Sequence, residues 1–406
     1  MNCTMNKKPE LLAPAGNIDC LVTAERFGAD AVYIGGPMLQ LRAEKAGFDR
    51  DGIITAAEYM HERNKKLYVT VNSFTKNAEL EPLKEYAKFL HSAGADAVIV
   101  SDIGAVRTIK KAVPELDVHI STQANCCNWA SALAYYEMGA SRIVLAREMT
   151  IKEIAELHEK IPDDLEIEAF VHGAMCMAYS GRCLISSYMT GRSGNRGECT
   201  QPCRWEYYLV EQNRPGEYYQ VEEYGDHSAI LSSNDMRSIE FLDKLTAAGV
   251  DSFKIEGRMK TEYYVAHVVN AYRHGIDGST PISVLENELD AISHRPYNSG
   301  FYFGELVRNH FNDGLYHYTC TFGGIAREDA RDGKLKLTQR NFFRLGDTLE
   351  VLSPDTLGIS FTVESIENEA GEAVETACHP QEILYINCPD GIKKGDIIRV
   401  RCKEKV

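Results

Sequence analysis

The sequence has no surplus of positive charge: 44 lysines and arginines stand against 59 aspartates and glutamates, a formal net charge of −15. That balance excludes broad, sequence-independent adhesion to nucleic acid, which rests on neutralising phosphates with Lys and Arg. It leaves room for a local basic site. Long apolar runs are missing too. The longest clean ones, such as Ala97–Val100, are far too short to cross a bilayer, and the opening MNCTMNKKPELLAP lacks the apolar core of a signal peptide. A cytoplasmic protein with no membrane partner is therefore expected. With an apolar fraction of 44% the chain is not expected to be disordered, and 406 residues suffice for one large domain plus a smaller one.

Cysteine, by contrast, is plentiful at twelve residues, and in a cytoplasmic chain of this size thiols serve as reduced side chains and metal ligands rather than disulfides. Four of them, Cys176, Cys183, Cys199 and Cys203, share one glycine-rich polar stretch with a Cys-x6-Cys-x15-Cys-x3-Cys pattern. One buried cysteine is a small hydrophobe; four in such a loop point to a shared ligand set. Structural zinc prefers two close knuckles, and only Cys199 and Cys203 have that spacing. Iron–sulfur clusters take four thiolates at irregular intervals, so the residues favour a cluster, with zinc or a disulfide as the alternatives. The same stretch carries Arg182, Arg192, Arg196 and Arg204 against the single acid Glu198. This patch either meets an anionic partner or merely balances the thiolates.

Four segments repeat one plan, in which an amphipathic helix ends at a glycine and a short apolar run follows: Gly28-Ala29-Asp30, Gly94-Ala95-Asp96, Gly139-Ala140-Ser141 and Gly249-Val250-Asp251. Each glycine reads as a helix C-cap and each run as a strand buried on both faces of a parallel sheet. Strands are expected at 10–13, 31–34, 67–71, 97–100, 118–121, 142–145, 167–172 and 252–255. Eight alternating units predict a TIM barrel, a doubly wound open sheet being the alternative. The cysteine-rich insertion, 174–230, then opens at the C-terminal end of strand seven, the face on which barrel enzymes do their chemistry. Within it, aromatic residues on either side of Arg214-Pro215-Gly216 read as a hairpin. The barrel is assigned to 1–285 and a connecting segment to 286–324. The short alternating strands of 325–406 form a small C-terminal β-barrel.

Residues just past the strands share one mouth: Arg42, Asn72, Gln123 and Asn125, Arg147 and Glu148, His172, then Glu256, Arg258 and Lys260. Arg42, Arg147, Arg258 and Lys260 suit a small dicarboxylate or a phosphate, because guanidinium groups grip such oxygens in pairs; the plainer reading is that these charges pair with one another. His172, four residues before Cys176, also permits a Cys–His nucleophile pair, although a cysteine bound to iron cannot attack a carbonyl.

The motif Glu168-x-Phe170-x2-Gly173-Ala174-Met175-Cys176-x4-Gly181-x-Cys183-x-Ile185-Ser186 resembles the signature of the peptidase U32 family. The resemblance runs from Glu10-Leu11-Leu12-Ala13-Pro14-Ala15-Gly16 through Lys254-Ile255-Glu256-Gly257-Arg258-Met259-Lys260 to Gly346-Asp347 and Gly395-Asp396. It implies a 4Fe-4S cluster on Cys176, Cys183, Cys199 and Cys203. The family is named for collagenase-like proteolysis, but this chain is similar to its branch of oxygen-independent hydroxylases that make 5-hydroxyuridine at the tRNA wobble position, with prephenate as the implied hydroxyl donor. Ribosomal RNA or another aromatic substrate is the neighbouring alternative. On this reading His172, Glu256 and Arg258 are catalytic. Arg42, Asn72, Arg147, Lys260, Arg182 and Arg196 bind the dicarboxylate donor or the tRNA, and a partner protein or homo-oligomer is left open.

Overall fold

The computed structural model describes residues 8–41, 47–176, 178–205, 208–210, 218–220, 234–304, 316–354 and 358–402. Runs of apolar residues bounded by polar turns give eight parallel strands: β1 (Glu10–Pro14), β2 (Ala31–Gly35), β3 (Lys66–Val71), β4 (Ala97–Val100), β5 (Asp117–Ile120), β6 (Arg142–Val144), β7 (Glu166–Ala174) and β8 (Ser252–Ile255). Each pairs with the next. The ring closes where β8 meets both β1 (Glu10 with Ser252) and β7 (Glu168 with Ser252), which decides for a TIM barrel over an open sheet. Helices α1 (Ile18–Arg26), α2 (Arg50–His61), α3 (Leu80–Ser92), α4 (Ile103–Ala112), α5 (Trp129–Glu137) and α6 (Ile151–His158) follow the first six strands in turn. Gly28, Gly94, Gly139 and Gly249 all hold φ between 88° and 101°. Turning the chain from helix to strand there needs a conformation that side chains resist.

After β7 come α7 (Ile185–Thr190) and α8 (Leu242–Ala247), and after β8 comes α9 (Glu262–Asp277) followed by α10 (Ile282–Leu289). Strands Tyr208–Val210 and Tyr218–Gln220 pair antiparallel, as the hairpin pattern anticipates. Two additions escape the periodicity. Asp235–Arg237 lies antiparallel on β7, with Met236 opposite Gly173, and Tyr297–Asn298 pairs with it in turn. Three-residue and two-residue strands have no alternation to read. The stretch around Tyr302 also returns to the barrel: Tyr302 donates its hydroxyl to the Phe170 carbonyl at 2.5 Å, and its own carbonyl accepts the Ile151 amide.

Contacts divide the chain into two compact units. The first is Met1–Glu25, Ala29–Met259 and Arg295–Tyr316; the second is Arg26–Gly28, Lys260–His294 and His317–Val406. The barrel strands belong to the first unit. The second carries α9, α10 and an antiparallel half-barrel of seven strands in the order Ile359–Thr362, Thr348–Leu352, Ile397–Arg401, Cys320–Ala326, Lys334–Gln339, Ile383–Asn387 and Ile366–Asn368. Its core is made by Leu335, Leu337, Phe343, Leu349, Val351 and their neighbours. Arg399 of this unit is buried among Glu288, Glu350 and His267.

The interior of the barrel is not wholly apolar. Arg142, its side chain 2% exposed, reaches Glu10 and Glu166 at 2.6 Å each and Glu168 at 3.1 Å. The other oxygen of Glu168 accepts from Lys254 Nζ at 2.6 Å. Tyr68 and Ser252 complete the bonding of Glu10. Such a cluster tolerates burial only because each carboxylate has donors. Burial raises the Glu10 carboxyl, but the Arg142 guanidinium and the hydrogen bonds from Tyr68 and Ser252 together outweigh this and hold it below its ordinary value of 4.5. Replacing Arg142 with Met takes the guanidinium from three carboxylates and is expected to cost about 3–5 kcal/mol in urea unfolding at neutral pH. Glu10 is more acidic folded than unfolded, so its contribution is present above about pH 4.5 and is lost as the pH falls through the lowered folded value. Arg142→Met should therefore lose that part of the acid destabilisation, measured as stability against pH.

Candidate active site

At the C-terminal mouth of the barrel a cavity of about 190 Å³ is walled by strand ends and by the cysteine-rich insertion. Cys176, Cys183, Cys199 and Cys203 all line it, and all four are thiols outside any disulfide. They share the wall with Asn72, Arg147, Glu148, Lys254, Glu256 and Arg258.

The insertion is pinned in two places. Glu148, just after β6, accepts the Ser180 amide at 2.6 Å and the Ser180 hydroxyl at 2.5 Å. These bonds hold Ser180 at φ 39°, ψ 42°, a left-handed conformation that costs a residue with a side chain about 1 kcal/mol or more. Further on, Arg196 grips Glu79 with both nitrogens, at 2.7 and 3.0 Å, and donates to the Phe74 carbonyl. That hydrogen-bonded guanidinium lowers the Glu79 carboxyl. Between the pins, the Asn195 side chain donates to the Cys183 carbonyl at 3.1 Å and accepts its amide at 3.4 Å. The Ile185 amide at the start of α7 points at Cys183 Sγ, 3.4 Å away. Such an N–H to sulfur is the kind of outer bond that orients a sulfur ligand.

Arg147 is the best-placed cation. Its guanidinium lies 3.9 Å from the centre of the Phe170 ring, donates to the Ala174 carbonyl at 2.9 Å and meets Glu256 at 3.3 Å. Its Nε is buried with no hydrogen-bond partner, and the residue lines the cavity. Lys254 stands on the floor, 4% exposed, 4.4 Å from the Tyr33 ring centre. Burial lowers its affinity for the proton, and Glu168 opposes that by pairing with it. Sequence reasoning passed over Lys254 as a site residue; the available signal was a lysine in the middle of a short apolar strand.

The other expected site residues fall in varied places. Arg258 touches the cavity, but its guanidinium bonds to Gln40, Thr70 and the Leu41 carbonyl. It therefore fastens the chain after β2, and Gly35 is glycine because a Cβ there would sit 1.7 Å from Gln40 Oε1. Asn72 accepts the Leu41 amide on the same strap. Arg182 is exposed and donates to the Gln123 carbonyl. His172 is buried, with its ring 5.5 Å from that of Tyr297, and does not line the cavity. Lys260 belongs to the second unit, over the Tyr264 ring. Arg42 lies outside the described residues. Among the described residues no three His, Cys, Asp or Glu side chains converge on one point where a single ion could sit. Four thiols that line one cavity are the donor set that a four-thiolate iron–sulfur cluster takes.

Comparison with known proteins gives a match to Peptidase family U32 over residues 16–312 and to the Peptidase family U32 C-terminal domain over residues 318–399. A Bacillus subtilis protein called tRNA hydroxylation protein P1 is 38% identical over 97% of this chain and 95% of its own length. An Escherichia coli protein called tRNA hydroxylation protein P is 36% identical over 97% of both. A third relative, an Escherichia coli 23S rRNA 5-hydroxycytidine synthase, is 38% identical over 66% of this chain and 39% of its own. Arg147→Lys keeps the charge but loses the fork and the ring stacking. Any small dicarboxylate that this cavity takes up should bind the variant roughly ten- to hundredfold more weakly by isothermal titration calorimetry, with the fold intact.

Proposed function

We propose, from the premise that this chain belongs to peptidase family U32, that it is an RNA-modifying enzyme that hydroxylates a pyrimidine base, specifically the wobble uridine of tRNA at C5. Relatives similar over nearly the whole chain carry tRNA hydroxylation in their names, and a more partial one is named for the corresponding change on a ribosomal cytidine. The observation that carries the reading is that all four cysteines of the insertion line the same cavity as Arg147, Lys254 and Glu256.

Cys176, Cys183, Cys199 and Cys203 would hold a 4Fe-4S cluster, which when bound supplies one-electron chemistry independent of oxygen. The chain's own groups do the rest. Arg147 and Lys254 offer two cations to a dicarboxylate donor such as prephenate, and Phe170 and Tyr33 give their charges an apolar wall that strengthens them. Glu256, partly exposed and already bonded to Arg147, is the carboxylate placed to accept or return a proton on the substrate side. A base reaches this depth only when it leaves its stack. The alternative, a Cys–His peptidase, lacks support of this kind, because His172 is buried and does not line the cavity that Cys176 does.

Protein purified without oxygen should be brown and carry close to four irons and four sulfides per chain. Cys183→Ala should abolish the colour and the modification together, while Cys20→Ala, buried in α1 away from the insertion, should leave both. Nucleosides from cells lacking the gene and any paralogue should lack 5-hydroxyuridine derivatives by mass spectrometry. Undiminished derivatives reject the tRNA assignment, and a colourless active protein rejects the cluster.

A further inference from the structure

A chain of net charge −15 must still bring a polyanion to its mouth, and one face of the barrel is suited to that. Between α3 and α4 runs a surface groove lined by Lys84, Lys88, Arg107, Lys110 and Lys111, five cations against the carboxylates of Glu81 and Glu137. Lys84 pairs with Glu81 and Lys88 with Glu85 across one helical turn, and both lysines are about half exposed. Exposed pairs of this kind are worth at most about 1 kcal/mol and yield readily to a better anion. Arg107 and Lys111 are exposed. Lys110 donates to the Pro114 and Leu116 carbonyls, but its charge still adds to the field. The upper end of the groove, Leu80, directly follows Glu79, the residue that Arg196 of the insertion grips.

Across that clamp lies a second, independent feature. Leu184 is 73% exposed and Tyr188 89% exposed, and the Tyr188 amide donates to the Leu184 carbonyl, so the two sit one turn apart. Met189 beside them is 45% exposed. On the same short helix Ile185 and Ser186 line the cavity, so this apolar face is its outer lip, and exposed Arg182 adjoins it in sequence. Single exposed apolar side chains need no explanation, but a cluster at the rim of a cavity marks a contact surface. An aromatic face beside a guanidinium is what an unstacked base seeks, and a lysine-lined groove is what a phosphate backbone seeks.

We propose that the barrel unit itself carries an RNA track, with loop bases resting on the Leu184 and Tyr188 face and the sugar–phosphate backbone lying along the groove between α3 and α4. This inference rests on the RNA reading above and adds to it the surface that recognises the substrate. The observations favour RNA over an acidic protein because the base platform is the lip of the cavity and the cationic groove begins at Leu80, next to the Glu79 that clamps the same insertion.

The test is tRNA binding by the full-length, cluster-loaded protein, followed by fluorescence anisotropy across a range of salt. Lys84→Glu/Lys88→Glu/Lys111→Glu should weaken binding at least about tenfold near 0.1 M salt and reduce the slope of log K against log salt by about 2 to 3, since each lost phosphate contact removes about 0.7–0.9. The Arg triple substitution at the same positions should restore both. Tyr188→Ala should weaken binding about tenfold with the salt slope unchanged, because stacking releases no counterions. Prephenate binding and the absorbance spectrum should stay as in the parent for every variant. If the wild type binds tRNA and the Glu triple variant matches it in affinity and slope, the track is overturned while the RNA reading stands; capture of an acidic protein by the groove with tRNA binding unaffected overturns it equally. If the wild type binds no tRNA and modifies none, the reading fails and the track with it.

Discussion

The carboxylate of Glu168 joins two parts of the barrel that would otherwise be separate. One oxygen accepts from Arg142, the centre of a buried charge network, and the other from Lys254, on the floor of the cavity. A lysine buried to this degree keeps its charge only with a permanent counter-ion, and Glu168 is itself fully buried, so the counter-ion depends on the arginine in turn. The functional end of the cavity therefore inherits its electrostatics from a stabilising cluster deeper in the barrel. An apolar core would make a sturdier barrel, but it could not hold a cation at the bottom of the pocket.

The two pins of the cysteine-rich insertion show how a glycine-rich segment becomes a definite wall. Neither pin uses the cysteines. Glu148 fixes the turn at Ser180, and Arg196 fixes the later part through Glu79 and Phe74. The thiols are thus presented by a scaffold anchored to the loops after β3 and β6, and the protein is not relying on ligand bonds alone to shape the loop. The local excess of arginine in this acidic chain accordingly has a partly structural cause, since Arg196 is spent on the clamp.

Much of this was legible in the residues. The helix–glycine–strand repeat located four of the eight barrel strands and short apolar runs the other four, because both signals are local: a left-handed cap and a short run buried on two faces. The cysteine spacing located the insertion wall. What stayed hidden depends on geometry that no local pattern carries. Asp235–Arg237 is too short to alternate. Arg258 and Arg147 look alike as arginines just past strands, yet one is bonded to the strap at Gln40 and Leu41 while the other rests on the Phe170 ring beside Glu256. Only the three-dimensional neighbourhood distinguishes them. Lys254 had a readable signal, a charge inside an apolar strand, whose meaning depended on knowing that Glu168 stands opposite.

The bond from Tyr302 to the Phe170 carbonyl spans 132 residues of sequence, and Phe170 is the ring on which Arg147 rests. The backing of the cavity wall therefore comes from a segment made long after the last barrel strand. During synthesis the eight strands can emerge and meet while this support is still inside the ribosome. A chain that ends before Tyr302 thus has all eight strands but lacks this donor to the Phe170 carbonyl.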